Sequence, residues 1–266
     1  MKGRKDEKKR EKWSNISTII RKHNIAVLAV QECHLNQEET TKLVDKAPRI
    51  VVYSSGTSTT KEGVAFVLNK ELVNCEYIVD EIIPGRAMRI QMRYPDDNGL
   101  DIINVYAPNP VPEKIEFFEK LYEQLEKLDL REPIILGDFN FVEYEIDRYP
   151  MHEDDMRIVN KFNRIKDKYH LLDGWRIYNP IERAYTLFTK GNKKGAMSRI
   201  DRIYMHQDLA TFAYNWTFLT SMKMSDHDIV MVEILKKKLP YIGDGLQRID
   251  TDTLESPTFQ KVARKI

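Results

Sequence analysis

Apolar residues along this chain fall into two alternating kinds of run, short β-branched stretches and longer segments with helical spacing. Trp13, Ile16, Ile19 and Ile20 recur at the interval of one helix face, and residues 25–30 follow as an almost wholly apolar run of strand length. A run that is apolar at nearly every position predicts a strand buried on both faces. A short helix is predicted at residues 40–47, then strands at 49–53, 63–68, 76–83 and 86–94. Pro95-Asp96-Asp97-Asn98-Gly99 concentrates turn formers and predicts a hairpin into a strand over residues 100–106. Pro112 then opens the clearest helix, with Ile115, Phe118, Leu121, Tyr122, Leu125 and Leu128 on one side. Residues 133–136 form a second fully apolar strand, and a helix is expected over 153–169. Later strands are expected at 185–188, 199–205, 215–219 and 229–235. Many strands with hairpins between them, interrupted by few helices, predict a sheet-rich α/β sandwich rather than a doubly wound parallel sheet.

No repeat and no Gly/Ser- or Pro-rich linker divides the first 238 residues, so residues 1–238 are expected to be one domain. After Lys238 the chain turns to Gly, Asp, Thr and Pro without periodicity, which predicts a connector over 239–266 with one short helix at 256–263. The 42 basic residues are balanced by 41 acidic ones, a net charge of +1, so any nucleic-acid footprint must be local rather than global. Residues 1–12 hold seven Lys/Arg against Asp6, Glu7 and Glu11, and read as a solvated lead-in to a helix. Cys33 and Cys75 are too few for a disulfide framework or a cysteine-built zinc site, and point to a reducing compartment. No apolar run reaches membrane-spanning length and no signal core opens the chain. A soluble protein of the nucleus or cytoplasm, with no membrane partner, is expected.

Candidate chemistry sits just past the ends of the apolar strands, where loops present side chains from a rigid scaffold. Five places qualify: Gln31-Glu32, Asn104-Val105-Tyr106-Ala107-Pro108, Gly137-Asp138-Phe139-Asn140, Ser198-Arg199-Ile200-Asp201 and Ser225-Asp226-His227. Each alone reads more readily as a helix cap, a surface carboxylate or a structural Asp–His hydrogen bond. Together their carboxylates, amide, phenol and imidazole suit phosphodiester hydrolysis. Mg²⁺ takes oxygen ligands, and a histidine can stabilise charge opposite the scissile oxygen. Zinc-type Cys/His spacing and Gly-rich phosphate loops are both absent from the sequence.

These five segments, in this order, resemble the signature of the endonuclease/exonuclease/phosphatase superfamily, over roughly residues 13–235. Val30-Gln31-Glu32-Cys33-His34-Leu35, Ile134-Ile135-Leu136-Gly137-Asp138-Phe139-Asn140 and Ser198-Arg199-Ile200-Asp201-Arg202-Ile203-Tyr204 are similar to the fungal-type endonucleases of non-LTR retrotransposons. The tail after Pro240 resembles the connector toward a reverse transcriptase, a domain this sequence does not contain. The resemblance implies a four-layered, DNase I-like α/β sandwich with mixed, largely antiparallel sheets. It implies a monomer that uses Mg²⁺ or Mn²⁺ to nick DNA, leaving a 3′-hydroxyl primer.

The resemblance also implies roles. Glu32 would be the principal metal ligand and Asp226 a second carboxylate on the metal side. Asp138 would orient and deprotonate the attacking water, while Asn140 and Tyr106 would donate to the scissile phosphate. Asp201 would hold His227 in one tautomer, and His227 would stabilise the phosphorane charge. Thr186 and Arg199 match positions that face DNA, and Arg199 with Arg202 would supply the local basic rim. His34 is expected to be a loop residue without a catalytic role, and Trp175 to pack in the core. One feature departs from the pattern. The family's first strand, ending in an asparagine near the metal, would precede the helix at Trp13 and is not found, so its neighbour is expected to carry an unpaired edge and activity to be reduced. The alternatives are an inositol or lipid phosphatase of the same superfamily, disfavoured by the lack of a dense Lys/Arg cluster, and an inactive DNA-binding remnant.

Overall fold

The computed structural model describes residues 2–35, 40, 49–56, 62–94, 98–189, 195–221 and 225–235. Helix α1 (Lys2–Lys22) leads into β1 (Val27–Gln31), β2 (Ile50–Ser55) and β3 (Val64–Asn69), followed by the meander β4 (Glu76–Ile83), β5 (Ala87–Tyr94) and β6 (Asn98–Tyr106). Helix α2 (Val111–Leu125) crosses to β7 (Ile134–Asp138), and β8 (Arg148–Tyr149), α3 (Met156–Lys168), β9 (Leu171–Asp173) and α4 (Gly174–Tyr178) come next. The chain continues through β10 (Leu187–Phe188), β11 (Met197–Ser198), β12 (Asp201–His206), α5 (Gln207–Ala210), β13 (Ala213–Leu219) and β14 (Ile229–Ile234).

Four layers result. One sheet has six strands in the order β4-β5-β6-β7-β12-β9, antiparallel except where α2 returns the chain to make β6 and β7 parallel. The second layer holds β1-β3-β2 and the pair β13-β14, while β10-β11-β8 forms a small separate sheet. Strand β3 shows why the layers stack: Val64, Phe66 and Leu68 enter the core between the sheets, Ala65 and Val67 pack toward α1, and no position is exposed. On the far side of the six-stranded sheet, Phe117, Phe118, Leu121 and Leu125 of α2 and Ile158, Phe162 and Ile165 of α3 cover Ile103, Val105 and Ile135. Asp155 caps α3 by accepting from the Arg157 N–H at 2.9 Å.

This helix-side core holds the site in place. Phe139 and Phe141 lie on either side of Asn140 in sequence, and both are fully buried. Ring centroids of Phe139, Phe162 and Tyr204 lie 4.8–5.0 Å apart in edge-on contacts, each worth about 0.5–1.5 kcal/mol beyond area burial. The loop after β7 is therefore anchored at both neighbours of its central residue.

The predicted strands and the two longer helices are present to within three residues of the expected bounds. The strand expected from residue 199 starts at Asp201, because the Arg199 N–H donates to Asp147 O at 2.8 Å instead of to a strand neighbour. Burial of β1 differs more. All five of its residues are half-buried rather than enclosed, since among the described strands β1 pairs only with β3, as β14 pairs only with β13. The two pairs share cores: Leu28, Val30, Ile229 and Met231 join the α1 side, and Val27, Val230, Val232 and Ile234 the inter-sheet side. The predicted helix at 40–47, apart from Thr40, lies outside the described residues, as do residues 95–97 of the hairpin and the connector with its helix at 256–263. Among the described residues no helix is long and apolar enough to cross a membrane.

Candidate active site

Three neighbouring strands of the large sheet bring three of the expected side chains into one row. Tyr106 at the end of β6 pairs with Asp138 at the end of β7, and Asp138 pairs with Asp201 at the start of β12. Gly137, at φ +133°, precedes Asp138 because a Cβ there would collide with the Val105 carbonyl. Asn140 takes the left-handed conformation, φ 54°; its N–H donates to Asp138 Oδ1 at 2.9 Å and its amide to Ala107 O at 2.8 Å. Glu32 comes from the other layer, also left-handed at φ 49°, where it accepts a short hydrogen bond from the Tyr106 hydroxyl. A buried staple fixes that approach. Asn104 accepts from Gln31 Nε2 at 2.6 Å and donates to Val30 O at 3.2 Å and Ala65 O at 2.9 Å, tying β6 to β1 and β3.

His227 completes the cluster, with Nδ1 2.8 Å from Asp201 Oδ2. Ligand atoms of Asp138, Asp201 and His227 all lie within 4.8 Å of one another. Burial would push the His227 pKa down, but the Asp201 hydrogen bond and the charges of Asp201, Asp138 and Asp226 outweigh it and raise it to about 9. Asp138 is raised to about 8, first by burial and then by the charge of Asp201. Burial and the hydrogen bond to Glu32 push Tyr106 well above the ordinary phenol range, so its hydroxyl is a neutral donor. Crowded carboxyl oxygens, with the Asp138 group raised so that its acid form predominates at neutral pH, are the donor set that a hard divalent cation relieves. Asp138, Asp201 and His227 lie close enough to share such an ion, and Glu32, bonded to Tyr106 beside Asp138, adds a further oxygen donor. Asp226 is exposed and its Oδ1 lies 3.4 Å from Ser225 Oγ, so it stands at the rim of this cluster.

Three expected DNA-facing residues are placed elsewhere. Arg199 is buried, with Nε and Nη2 donating to both Asp147 oxygens at 2.7 and 2.9 Å and Nη2 to Asp173 Oδ2 at 2.7 Å. Arg202 is buried on the helix side, donating to Phe141 O at 2.8 Å with its guanidinium over the rings of Phe139, Phe141 and Tyr204. Thr186 has no exposed surface. None of the three is open to a phosphate, and the basic rim expected from Arg199 and Arg202 is corrected to interior ion pairing. Trp175 packs in the core as expected, edge-on to Phe218 at 5.4 Å, and His34 follows the end of β1 in a loop.

Sequence reasoning missed Lys114. It is buried in the first turn of α2, donates to the Asn140 carbonyl, and is held below the ordinary lysine pKa chiefly by burial. The signal was present: Lys114, Phe117, Phe118 and Leu121 form one helix stripe, and a lysine in an apolar stripe points inward. Arg86 was also missed. Its guanidinium lies 4.7 Å over the Tyr106 ring and donates to Glu62 at 2.8 Å, pairings between segments that no local pattern marks.

A four-layered α/β sandwich that gathers carboxylates and an Asp–His pair at its strand ends defines the DNase I-like class. The chain belongs to the Endonuclease/Exonuclease/phosphatase family, which residues 5–227 match. It is similar to the Transposon TX1 uncharacterized 149 kDa protein of Xenopus laevis, 28% identical over 253 residues, which cover 94% of this chain and 19% of that protein. This chain thus spans about a fifth of that relative's length. Among solved structures, AP endonuclease LMAP from Leishmania major superposes with a TM-score of 0.70 at 16% identity, covering 84% of this chain and 82% of that one. The endonuclease domain of TRAS1, a telomere-specific non-LTR retrotransposon, superposes with a TM-score of 0.62 at 15% identity, covering 85% and 93%. At these identities the structures bear on the fold alone.

Proposed function

We propose that this domain is a divalent-metal-dependent endonuclease of a non-LTR retrotransposon that nicks DNA and leaves a 3′-hydroxyl. The observation that carries the reading is the row Tyr106–Asp138–Asp201 on three paired strands, with His227 bonded to its end and Glu32 to its start. The similarity to a transposon protein directs the choice of DNA as substrate over a phosphorylated lipid or inositol.

Glu32, with Asp226 at the rim, would hold Mg²⁺ or Mn²⁺. The ion would supply charge neutralisation at the scissile phosphate. Asp138, as a carboxylate, takes the proton of the attacking water while that oxygen bonds to phosphorus and the P–O3′ bond breaks, and the departing O3′ takes a proton from solvent to become the 3′-hydroxyl. Asn140 and Tyr106 donate to the non-bridging oxygens. Asp201 accepts from Nδ1–H of His227, which leaves Nε2 to donate to the phosphorane charge.

Relaxation of supercoiled plasmid tests the reading. Nicking is expected only with Mg²⁺ or Mn²⁺, and Glu32→Ala, Asp138→Ala and His227→Ala should each lower it about a hundredfold or more. Equal nicking by wild type and His227→Ala would refute the mechanism. Hydrolysis of inositol phosphates without action on DNA would establish the phosphatase reading instead.

A further inference from the structure

We propose that Thr186 is a positioning residue for the Asp201–His227 dyad, the point where the two chain segments that carry the dyad are locked together. The inference rests on the reading that this dyad serves phosphodiester cleavage. Asp201 and His227 lie on different segments, β12 and the turn before β14, so the 2.8 Å contact between them depends on how those segments are registered. Thr186 touches both. Its hydroxyl accepts from the N–H groups of Ile200 and Asp201, each at 3.1 Å, and donates to Ser198 O at 3.3 Å. Its own N–H donates to Ser198 O at 2.9 Å, and its carbonyl accepts from the Asp228 N–H at 2.7 Å. Leu187 then forms an isolated bridge with His227, and the Phe188 N–H donates to Asp226 O at 3.2 Å.

The division of labour is specific. Main-chain bonds from residues 186–188 hold the Asp226-His227-Asp228 turn, and those survive any side-chain change. The Asp201 side depends on the threonine oxygen, the shared acceptor for two N–H groups at the entrance to β12. Thr186 has no exposed surface, so no solvent reaches that oxygen to replace it. An apolar side chain of the same shape would leave two buried donors unsatisfied, and a junction that moves to satisfy them carries Asp201 away from the imidazole. The residue acts through Asp201 and touches no reacting atom.

The experiment compares Thr186→Val, which keeps the shape and loses the hydroxyl, with Thr186→Ser, which keeps the hydroxyl. Two readouts are followed: plasmid nicking resolved into kcat and KM, and the downfield proton resonance of the His227 Nδ1–H bonded to Asp201. Thr186→Val should lower kcat on the order of tenfold to a hundredfold, the scale of a displacement near 1 Å, with KM nearly unchanged and the resonance shifted or lost. Thr186→Ser should restore most of kcat and the wild-type resonance. A raised KM with unchanged kcat, or an unshifted resonance in Thr186→Val, would overturn the proposal. Should the valine variant not fold, Thr186→Cys, with a weaker acceptor of similar size, decides the matter by the same readouts: kcat equal to that of Thr186→Ser overturns it. If wild type nicks no DNA at all, the functional reading falls alone, and the resonance still tests the positioning role.

Discussion

Arg199→Met separates an arginine that holds the fold from one that holds DNA. Asp147 has no exposed surface and Asp173 little, and Arg199 bridges them with bonds of 2.7–2.9 Å while lying 5.1 Å over Trp175. Arg176 is the remaining partner, donating to Asp147. Methionine fills most of the volume but leaves Asp147 to the Arg176 guanidinium and Asp173 to the Arg176 main-chain N–H. Removing one partner of a buried ion pair costs about 3–5 kcal/mol, because the charge left behind is no longer solvated or paired. For a domain near this size each kcal/mol moves Tm by about 2–4 °C, so the expected loss is roughly 6–20 °C by scanning calorimetry. DNA affinity measured against salt should keep its slope, since no phosphate contact is removed. A phosphate-binding arginine would do the reverse, with Tm nearly constant and the slope falling by about 0.9. That second pattern would refute the placement of Arg199 in the interior network.

The remaining predictions concern protons and ions. His227 and Asp138 are raised to about 9 and about 8, so each binds its proton more tightly folded than unfolded. Groups raised in the folded state contribute stability that is full below the unfolded pKa and lost as pH rises through the folded one. Without divalent ions, urea stability should therefore fall between about pH 6.5 and about pH 9, by on the order of 3 kcal/mol from His227, and a flat or rising profile there would contradict the raised values. Mg²⁺ binding should release a proton at neutral pH and tighten toward about pH 8, read by calorimetry in buffers of different ionisation enthalpy. Heats independent of the buffer would show that Asp138 is already ionised.

How much of this was legible in the sequence depended on whether the signal was local. Gly137-Asp138-Phe139-Asn140 announced itself because an apolar strand, an obligatory glycine and a carboxylate are adjacent in the chain, and the structure sets that carboxylate in the row. The two segments of the dyad were legible locally, while their pairing came only through the resemblance, since nothing local records that Asp201 and His227 meet. Arg199 and Arg202 were misread for a physical reason: a guanidinium in a polar motif looks solvent-facing. Asp147, which buries Arg199, lies 52 residues away in a segment without periodicity. The short strands β8, β9 and β11 were invisible because two or three residues cannot display a period of two.

The hydrogen bonds also say what state of the site is seen. Of the donors proposed for the scissile phosphate, the Tyr106 hydroxyl is engaged by Glu32, while the Asn140 amide gives one N–H to Ala107 O and has a second to offer. A phosphate cannot gain the phenol's bond without Glu32 losing it, so the net gain from that contact is small while Glu32 remains a hydrogen-bond acceptor. Any ligand that occupies the Glu32 carboxylate frees the phenol, and burial keeps that phenol neutral and able to donate. Asn140 is held more firmly, since its N–H and its carbonyl are pinned by Asp138 and Lys114 and its amide is steadied by Ala107 O. Lys114 thereby places the backbone, and the side chain is the one part left to answer substrate. The order of events follows from this accounting. On the proposed function, occupation of Glu32 would come first and release of Tyr106 second, with the Asn140 amide already placed for the phosphate.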